Sequence, residues 1–118
     1  MTDRRTTARP TLPHHKLLAY HVALEMLLAV KSANIRDAKL RDQAMRAAKS
    51  AALNVAEAAG RVSPADRARV FAIARGEAME AAAAVEIAVL AGDAGDDALD
   101  SLLPIADRLV ALLTGLCR

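Results

Sequence analysis

The stretch "DQAMRAAKSAALNVAEAAGRVSPAD", residues 42–66, contains one predicted helix, its end and the start of the next helix. Alanines recur along it at steps of three and four residues, which is the spacing of one helix face. Gly60 predicts the end of the first helix, because glycine adopts left-handed dihedral angles just beyond a helix without strain. Ser63, Pro64 and Asp66 predict a new helix start, as an N-cap, a first-turn proline and a negative charge at the positive end of the helix dipole.

The first of these helices has two unlike faces. Its apolar face consists of Ala44, Ala47, Ala48, Ala51, Val55 and Ala58. Its other face is an ordered line of polar groups, which we call the polar ladder and which consists of Gln43, Arg46, Ser50, Asn54, Glu57 and Arg61. Such a line has one satisfied alignment with a partner, so it is suited to fixing the register of packed helices.

Three roles for the polar ladder follow from its chemistry. The ladder is buried between helices of one chain, with Ser50 and Asn54 bonded to helix-end groups, or it lines a subunit interface, or it faces water and binds phosphate. In the first case Arg46 or Arg61 pairs with an acidic residue of the bundle. The candidate partners are Glu57, Asp66, Glu77 and Glu80. Phosphate binding is the least favoured role, because Glu57 lies among the cations and repels an anion.

The composition predicts an all-α protein with a single domain. The chain has 118 residues, 54% of them hydrophobic, with only 5 Gly and 4 Pro, and its abundant Ala and Leu are the residues most easily held in a helix. The one cysteine, Cys117, excludes an intrachain disulfide and favours a reducing, cytoplasmic setting. No run reaches the ~20 apolar residues of a membrane span, and residues 1–12 read as a flexible basic arm without the apolar core of a secretory signal.

Four helices are predicted, over about residues 14–33, from 35–38 to 60, 64–90 and 97–116, and Gly92 and Gly95 mark the end of the third. Short connections between long helices give an antiparallel up-down-up-down four-helix bundle over residues 13–118. The first helix presents a wide apolar face of Leu17, Leu18, Leu24, Leu27, Leu28 and Val30. Pro104 kinks the fourth helix, unless that helix starts later, at Asp100 or Ser101.

The third predicted helix is apolar nearly all round. Its large apolar residues do not share one face: Val70, Phe71, Ile73, Met79, Val85, Ile87, Val89 and Leu90. A helix of this kind is expected to be covered on every side, whereas one side of each helix is exposed in a monomeric four-helix bundle. The pattern therefore predicts self-association, and the alternative is an alanine-rich face that tolerates solvent.

Charge is distributed unevenly along the chain. Residues 1–75 carry 14 Lys/Arg against 6 Asp/Glu, a balance of +8, and residues 76–118 carry 2 against 8, a balance of −6. A basic segment is compatible with sequence-independent contacts to nucleic acid phosphates, although helix packing can also bring the two halves together and neutralise them. Besides the arm, the candidate nucleic-acid contacts are Arg36, Lys39, Arg41, Lys49, Arg67, Arg69 and Arg75.

The sequence gives little support to a metal site, a cofactor or catalysis. His21 and Glu25 lie four residues apart with His14 and His15 nearby, which is a possible start of a metal site. However, no Glu-x-x-His pair recurs as a di-iron bundle requires, and no glycine-rich phosphate loop or nucleophile triad is recognisable. We therefore predict a protein without catalytic residues, cofactor or metal.

A set of polar and apolar positions together resembles a known family pattern, Q-x-x-R-A-A-x-S-x-x-x-N-I-A-E-G followed by G-R-x-S and F-x-x-I-A-x-G-S-x-x-E. The matching residues are Gln43, Arg46, Ala47, Ala48, Ser50, Asn54, Val55 in place of Ile, Ala56, Glu57, Gly60, Arg61, Ser63, Ile73, Ala74, Gly76 and Glu80, and Phe71 lies one position nearer to Ile73 than in the pattern. The chain thereby resembles the four-helix-bundle proteins named for the ribosomal-RNA intervening sequences that encode some of them. A relative is the accessory variability determinant of diversity-generating retroelements. The resemblance covers residues 14–90.

The resemblance implies a homopentamer, in which five bundles surround an axis. For the retroelement relatives it also implies binding of nucleic acid and of a reverse transcriptase. Together with the residue patterns, it predicts a non-enzymatic, self-associating scaffold or accessory protein. The alternative function is a nucleic-acid-binding accessory protein that partners a reverse transcriptase in a retroelement-like system.

Overall fold

A computed structural model of the chain describes residues 9–118, so most of the predicted arm lies outside the described residues. The four helices are α1 (Leu18–Ser32), α2 (Ala38–Ala59), α3 (Pro64–Leu90) and α4 (Asp97–Leu116). Each of α1 and α3 packs beside both α2 and α4, while α1 and α3 face each other only across a diagonal. Helices arranged as a ring in chain order, with short connections, form the predicted antiparallel four-helix bundle.

The helix boundaries follow local capping chemistry. The Oδ2 atom of Asp37 accepts a hydrogen bond from the backbone N–H of Leu40 at 2.9 Å at the start of α2. The Oγ atom of Ser63 accepts one from the backbone N–H of Asp66 at 3.0 Å at the start of α3, which confirms the predicted N-cap. Each of these bonds satisfies a backbone donor that a helix start leaves without a partner.

Of the glycines that mark predicted helix ends, Gly92 adopts left-handed geometry and Gly60 does not. α2 ends at Ala59 as predicted, but Gly60 has φ −86°, which any residue can adopt. Gly92, after α3, has φ +84°, and the next backbone N–H, of Asp93, donates to the carbonyl of Ala88 at 2.7 Å. This left-handed glycine turns the chain out of α3 toward α4.

The prediction of one continuous first helix over residues 14–33 is wrong at its start. A short 3₁₀ helix, Pro13–Lys16, comes first, and Leu17 is extended with φ −88° and ψ 123° before α1 begins. The backbone N–H of Leu12 donates to Nδ1 of His15 at 2.8 Å, and the N–H of His15 donates back to the Leu12 carbonyl at 3.0 Å. This reciprocal pair closes the tight turn, and Leu17 packs against the core from its extended position.

The core is rich in alanine on α2 and α3 and contains larger side chains from all four helices. The whole predicted apolar face of α2 is buried, together with Ala74, Ala78, Ala81, Ala84 and Ala88 of α3. The largest fully buried side chains are Met26 of α1 and Leu102, Leu109 and Leu113 of α4, with four valines. Alanine surfaces let α2 and α3 approach closely, and the large residues of α1 and α4 fill the remaining core.

The predicted apolar face of the first helix is partly wrong. Leu18 and Leu28 are 52% and 63% exposed, and Leu17, Leu24 and Leu27 are only partly buried against the core. The residues of α1 that are buried are Ala19, Val22, Ala23, Met26 and Val30. Because α1 has large apolar residues on several sides, its sequence alone does not select the face that packs.

The loops at one end of the bundle are bonded to each other. The backbone N–H of Arg36 donates to the carbonyl of Asp93 at 2.8 Å, and the Arg36 guanidinium donates to the carbonyl of Gly92. At this end α4 begins at Asp97, so Pro104 lies inside α4. The alternative starts at Asp100 and Ser101 are therefore wrong.

Candidate functional site

The polar ladder lies along the outer surface of α2. Gln43, Arg46 and Glu57 are exposed, and Ser50, Asn54 and Arg61 are half-buried. Burial between the helices of one chain, the first of the three predicted roles, is therefore wrong. The physical reason is that α2 turns its alanine face toward α1 and α3, and this turns the ladder away from the core.

In its middle, the ladder bonds along its own helix. The Nδ2 group of Asn54 donates to the Ser50 carbonyl at 2.9 Å and to Ser50 Oγ at 3.1 Å. The prediction that these two residues satisfy helix-end groups is wrong, since both lie in the interior of α2. Their contact spans one helical turn, from Ser50 to Asn54.

The end of the ladder is an ion-pair network that joins α2 to α3. Arg61 Nη2 lies 3.0 Å from Oε1 of Glu57, and Arg61 Nη1 lies 3.4 Å from Oδ2 of Asp66. Arg69 Nη2 lies 2.9 Å from Oδ1 of the same Asp66. Arg61 thus pairs with two of its predicted partners, Glu57 and Asp66, but at the solvated surface and not between buried helix faces.

Titration of this network follows its hydrogen bonds. The bond from Arg69 is the main cause that holds the pKa of Asp66 below its usual range, and Arg61 adds to the effect. The hydrogen bond to Glu57 and then the charge of Asp66 raise the pKa of Arg61. All of these groups are exposed or half-buried, so the network is solvated and acts as a connector between helices.

The start of the ladder is open. Gln43 and Arg46 line a shallow groove of about 550 Å³ together with Lys39 and Asp42. In the part of the chain that the structure describes, Arg46 has no ion pair within 4.0 Å. Arg46 therefore lacks the kind of ion pairs that Arg61 makes at the other end of the ladder within the described residues.

The candidate nucleic-acid contacts do not form one patch. Arg36, Lys39 and Arg41 lie at the start of α2, whereas Arg67 and Arg69 lie in the first turns of α3, beside the end of α2. Since α2 has 22 residues, these two groups are about 33 Å apart at 1.5 Å per residue. The structure therefore gives two small basic regions at opposite ends of the bundle.

Most of these cations also bond to the protein itself. Arg36, Arg41 and Arg67 donate to backbone carbonyls, Arg69 bonds to Asp66, and Arg75 Nε donates to Oγ1 of Thr114 at 2.8 Å. Within residues 9–118, Lys39 and Lys49 have no hydrogen bond or ion pair of the side chain. The two lysines are the members of the set whose charge is directed wholly to solvent.

The histidines form an aromatic cluster around the 3₁₀ helix. The ring centroids of His14 and His15 are 4.2 Å apart, and those of His14 and Tyr20 are 4.6 Å apart. His21 Nε2 lies 2.8 Å from the carbonyl oxygen of His15, so this nitrogen holds the turn. Between residues 9 and 118, no group of three His, Cys, Asp or Glu side chains is placed to hold a metal ion.

Two apolar grooves on the surface of the bundle were not predicted from the sequence. One lies between α1 and α2 beside Leu53, which is 70% exposed, and the other lies between α3 and α4 beside Met79 and Leu103. The signal for the first was present in the sequence, since Leu53 is a large apolar residue between Lys49 and Glu57 on the polar side of its helix. The groove between α3 and α4 forms only when these two helices pack, and the sequence of α4 does not specify how it packs against α3.

A family comparison covers most of the bundle. The sequence model of the 23S rRNA-intervening sequence proteins matches residues 16–115, which include all four helices. The chain belongs to the 23S rRNA-intervening sequence protein family. A search of curated proteins gave no match.

Membership of the 23S rRNA-intervening sequence protein family extends beyond the predicted resemblance. The family match includes α4, whereas the motif residues end in α3. The polar ladder is thus a surface feature of a family bundle that continues to the last helix. None of the helices in the described part of this family member is long and apolar enough to cross a membrane.

Proposed function

We propose that this family member is a non-enzymatic scaffold or accessory protein of the cytoplasm that self-associates as a homopentamer. The observation that carries the proposal is the outer surface of α3. Ile73, Met79, Ile87 and Leu90 are 44%, 48%, 54% and 89% exposed in the single chain. Solvent-exposed apolar residues that follow one another along a helix mark an interaction surface, and a second copy of the chain would cover them.

The polar ladder supports a scaffold rather than a catalyst. Its Asn54 bonds to Ser50, and its Arg61 bonds to Glu57, each along the same helix. These groups lie on a convex helix surface, whereas catalytic groups converge on a pocket. Among the roles predicted for the ladder, a place at a subunit interface remains compatible with its exposure. The five-fold number comes from the family resemblance.

The experiment that tests the proposal is a mass measurement by light scattering coupled to gel filtration, at micromolar concentration. We expect a mass five times the 12.4 kDa of one chain. Circular dichroism of the same sample shows whether the chain is folded. A folded protein with the mass of a single chain would contradict the proposal.

Binding of nucleic acid is the second candidate, and it includes a partnership with a reverse transcriptase in a retroelement-like system. The observation that favours it is the exposed cationic line of Lys39, Arg46 and Lys49 on α2. Repetition of this line in an oligomer multiplies weak phosphate contacts through avidity. Filter binding to RNA in a salt titration tests the candidate, since electrostatic binding weakens steeply as salt rises. Binding that is absent at low salt would remove this candidate.

A further inference from the structure

Two of the apolar grooves, the one between α1 and α2 and the one between α3 and α4, differ in charge. The groove between α1 and α2 is lined by Tyr20, Leu27, Ala52, Ala56, Leu53 and Lys49, with a volume of about 230 Å³. The groove between α3 and α4 has a volume of about 420 Å³, and its two charged lining residues are Glu86 and Asp107. The first surface is therefore apolar and basic, and the second is apolar and acidic.

The grooves point away from each other. Because the helices form a ring in chain order, the α1/α2 side and the α3/α4 side are opposite sides of the bundle. One copy can therefore use both grooves at once, each with a different neighbour. An interface between unlike surfaces is heterologous, and its repetition builds a ring or an open filament.

The shapes are complementary as well. Leu53 is 70% exposed and projects from α2, with Lys49 one helical turn before it. In the acidic groove, small side chains lie between the flanking helices, namely Ala82, Ala83 and Ala106. A projecting leucine fits a depression bordered by alanines, and burying it there removes apolar surface from water.

Among the described residues, the three charges of the two grooves are available for a partner. Across residues 9–118, Lys49, Glu86 and Asp107 take part in no ion pair within 4.0 Å. Opposite charges at the rim of an interface direct encounter and fix the register of the two partners.

From these observations we propose that the α3/α4 groove binds the α2 surface of a second copy of this chain. Leu53 of one copy lies between α3 and α4 of the next, and Lys49 lies beside Glu86 and Asp107. This assignment rests on the self-association proposed above, and it adds which surfaces meet. It makes the assembly head-to-tail, with every copy contributing one leucine and one groove.

The test is a charge exchange followed by mass measurement of the full chain. We expect Lys49→Glu to lower the mass toward that of one chain, and Glu86→Lys with Asp107→Lys to do the same. The triple variant that carries all three changes restores opposite charges across every interface and is expected to regain the parental mass. Lys39→Glu, on the same helix but outside both grooves, is the control and keeps the parental mass.

A cysteine pair provides an independent readout in a Cys117→Ser background. Leu53→Cys combined with Ala83→Cys is expected to form chain-to-chain disulfides on mild oxidation, since such a bond requires Cα atoms within about 7 Å. Leu53→Cys combined with Ser101→Cys, at an exposed position on the α1/α4 side of the bundle, is the matched control and remains uncrosslinked.

The outcomes separate this inference from the function on which it rests. If the parent is a folded single chain, self-association itself is wrong. If the parent is an oligomer, and neither the charge changes nor the Leu53–Ala83 cysteine pair behaves as expected, self-association stands and the assignment of the grooves is overturned. The assignment of the grooves is also overturned if the triple variant stays dissociated and the Leu53–Ala83 cysteine pair fails to crosslink.

Discussion

Asp37 and Asp96 are the N-cap residues of α2 and α4, but only Asp37 makes a capping hydrogen bond with its side chain. Asp37 is extended at ψ 118°, and its side chain accepts the Leu40 N–H. Asp96 has helical dihedral angles, φ −57° and ψ −31°, and makes no side-chain capping bond. The residue type alone does not decide capping, because the backbone conformation must first aim the carboxylate at the exposed N–H groups.

This difference predicts unequal effects of the same substitution. Asp37→Ala should lower the free energy of unfolding by about 1 kcal/mol, which is typical for loss of a capping side chain. Asp96→Ala should cost much less, since it removes only a charge near the helix dipole. Urea denaturation measures both variants, and equal losses would contradict the assignment.

Asp66 gives a prediction on pH. Its folded pKa is held below the ordinary value of 3.8, so its interactions stabilise the folded protein above that value and are lost as the pH falls through the lower, folded pKa. Titration of its carboxyl carbon by NMR should give a midpoint below 3.8. Arg69→Ala should raise this midpoint more than Arg61→Ala does, because the hydrogen bond from Arg69 is the larger cause. The reverse order would contradict this.

At the scale of the elements, the seam between α2 and α3 depends on small residues. Ala44 and Ala47 on α2, and Ala74 and Ala78 on α3, are at most 1% exposed. A residue with more side-chain atoms at these positions forces the helices apart or into strained rotamers. The alanine content that indicates helix in the sequence therefore also sets the distance between two helices.

The seam predicts the cost of a larger side chain. Ala78→Leu should lower the free energy of unfolding by about 1–3 kcal/mol through overpacking. Ala111→Leu, the same change at an exposed position of α4, should stay within about 0.5 kcal/mol of the parent. Chemical denaturation followed by circular dichroism compares them. If Ala78→Leu leaves the free energy of unfolding unchanged, the packing between α2 and α3 is looser than proposed.

The whole molecule is defined by how its surfaces are divided. Opposite charges border the two grooves, with Glu86 and Asp107 beside one and Lys49 beside the other. Apolar residues remain exposed on both sides. A single chain therefore leaves apolar surface in contact with water, and association with another chain would bury it.

Self-association predicts a stability that depends on concentration. Because assembly binds the folded chain and not the unfolded one, the midpoint of thermal unfolding should rise when the chain concentration is raised about 100-fold. Differential scanning calorimetry at two or more concentrations measures this shift. An unchanged midpoint would indicate that each chain unfolds alone.

Much of the candidate site was readable from sequence, within clear limits. The ladder residues were found because polar groups at steps of three and four must share a helix face. The outward direction of that face was not found, since a polar line such as Arg46 to Arg61 serves equally well between helices or on a surface. The α3/α4 groove was not found because Glu86 and Asp107 become neighbours only when two helices pack.

The sequence by itself determined the helices, their order and most of their ends, because helical periodicity, capping residues and glycine positions act over a few neighbouring residues. Three features were set only by the tertiary structure: the face of α1 that is buried, the extended conformation of Leu17, and the start of α4 at Asp97, before Pro104. These outcomes depend on contacts between residues that are distant in the chain. A local pattern contains no information about such contacts when several faces of a helix are equally apolar.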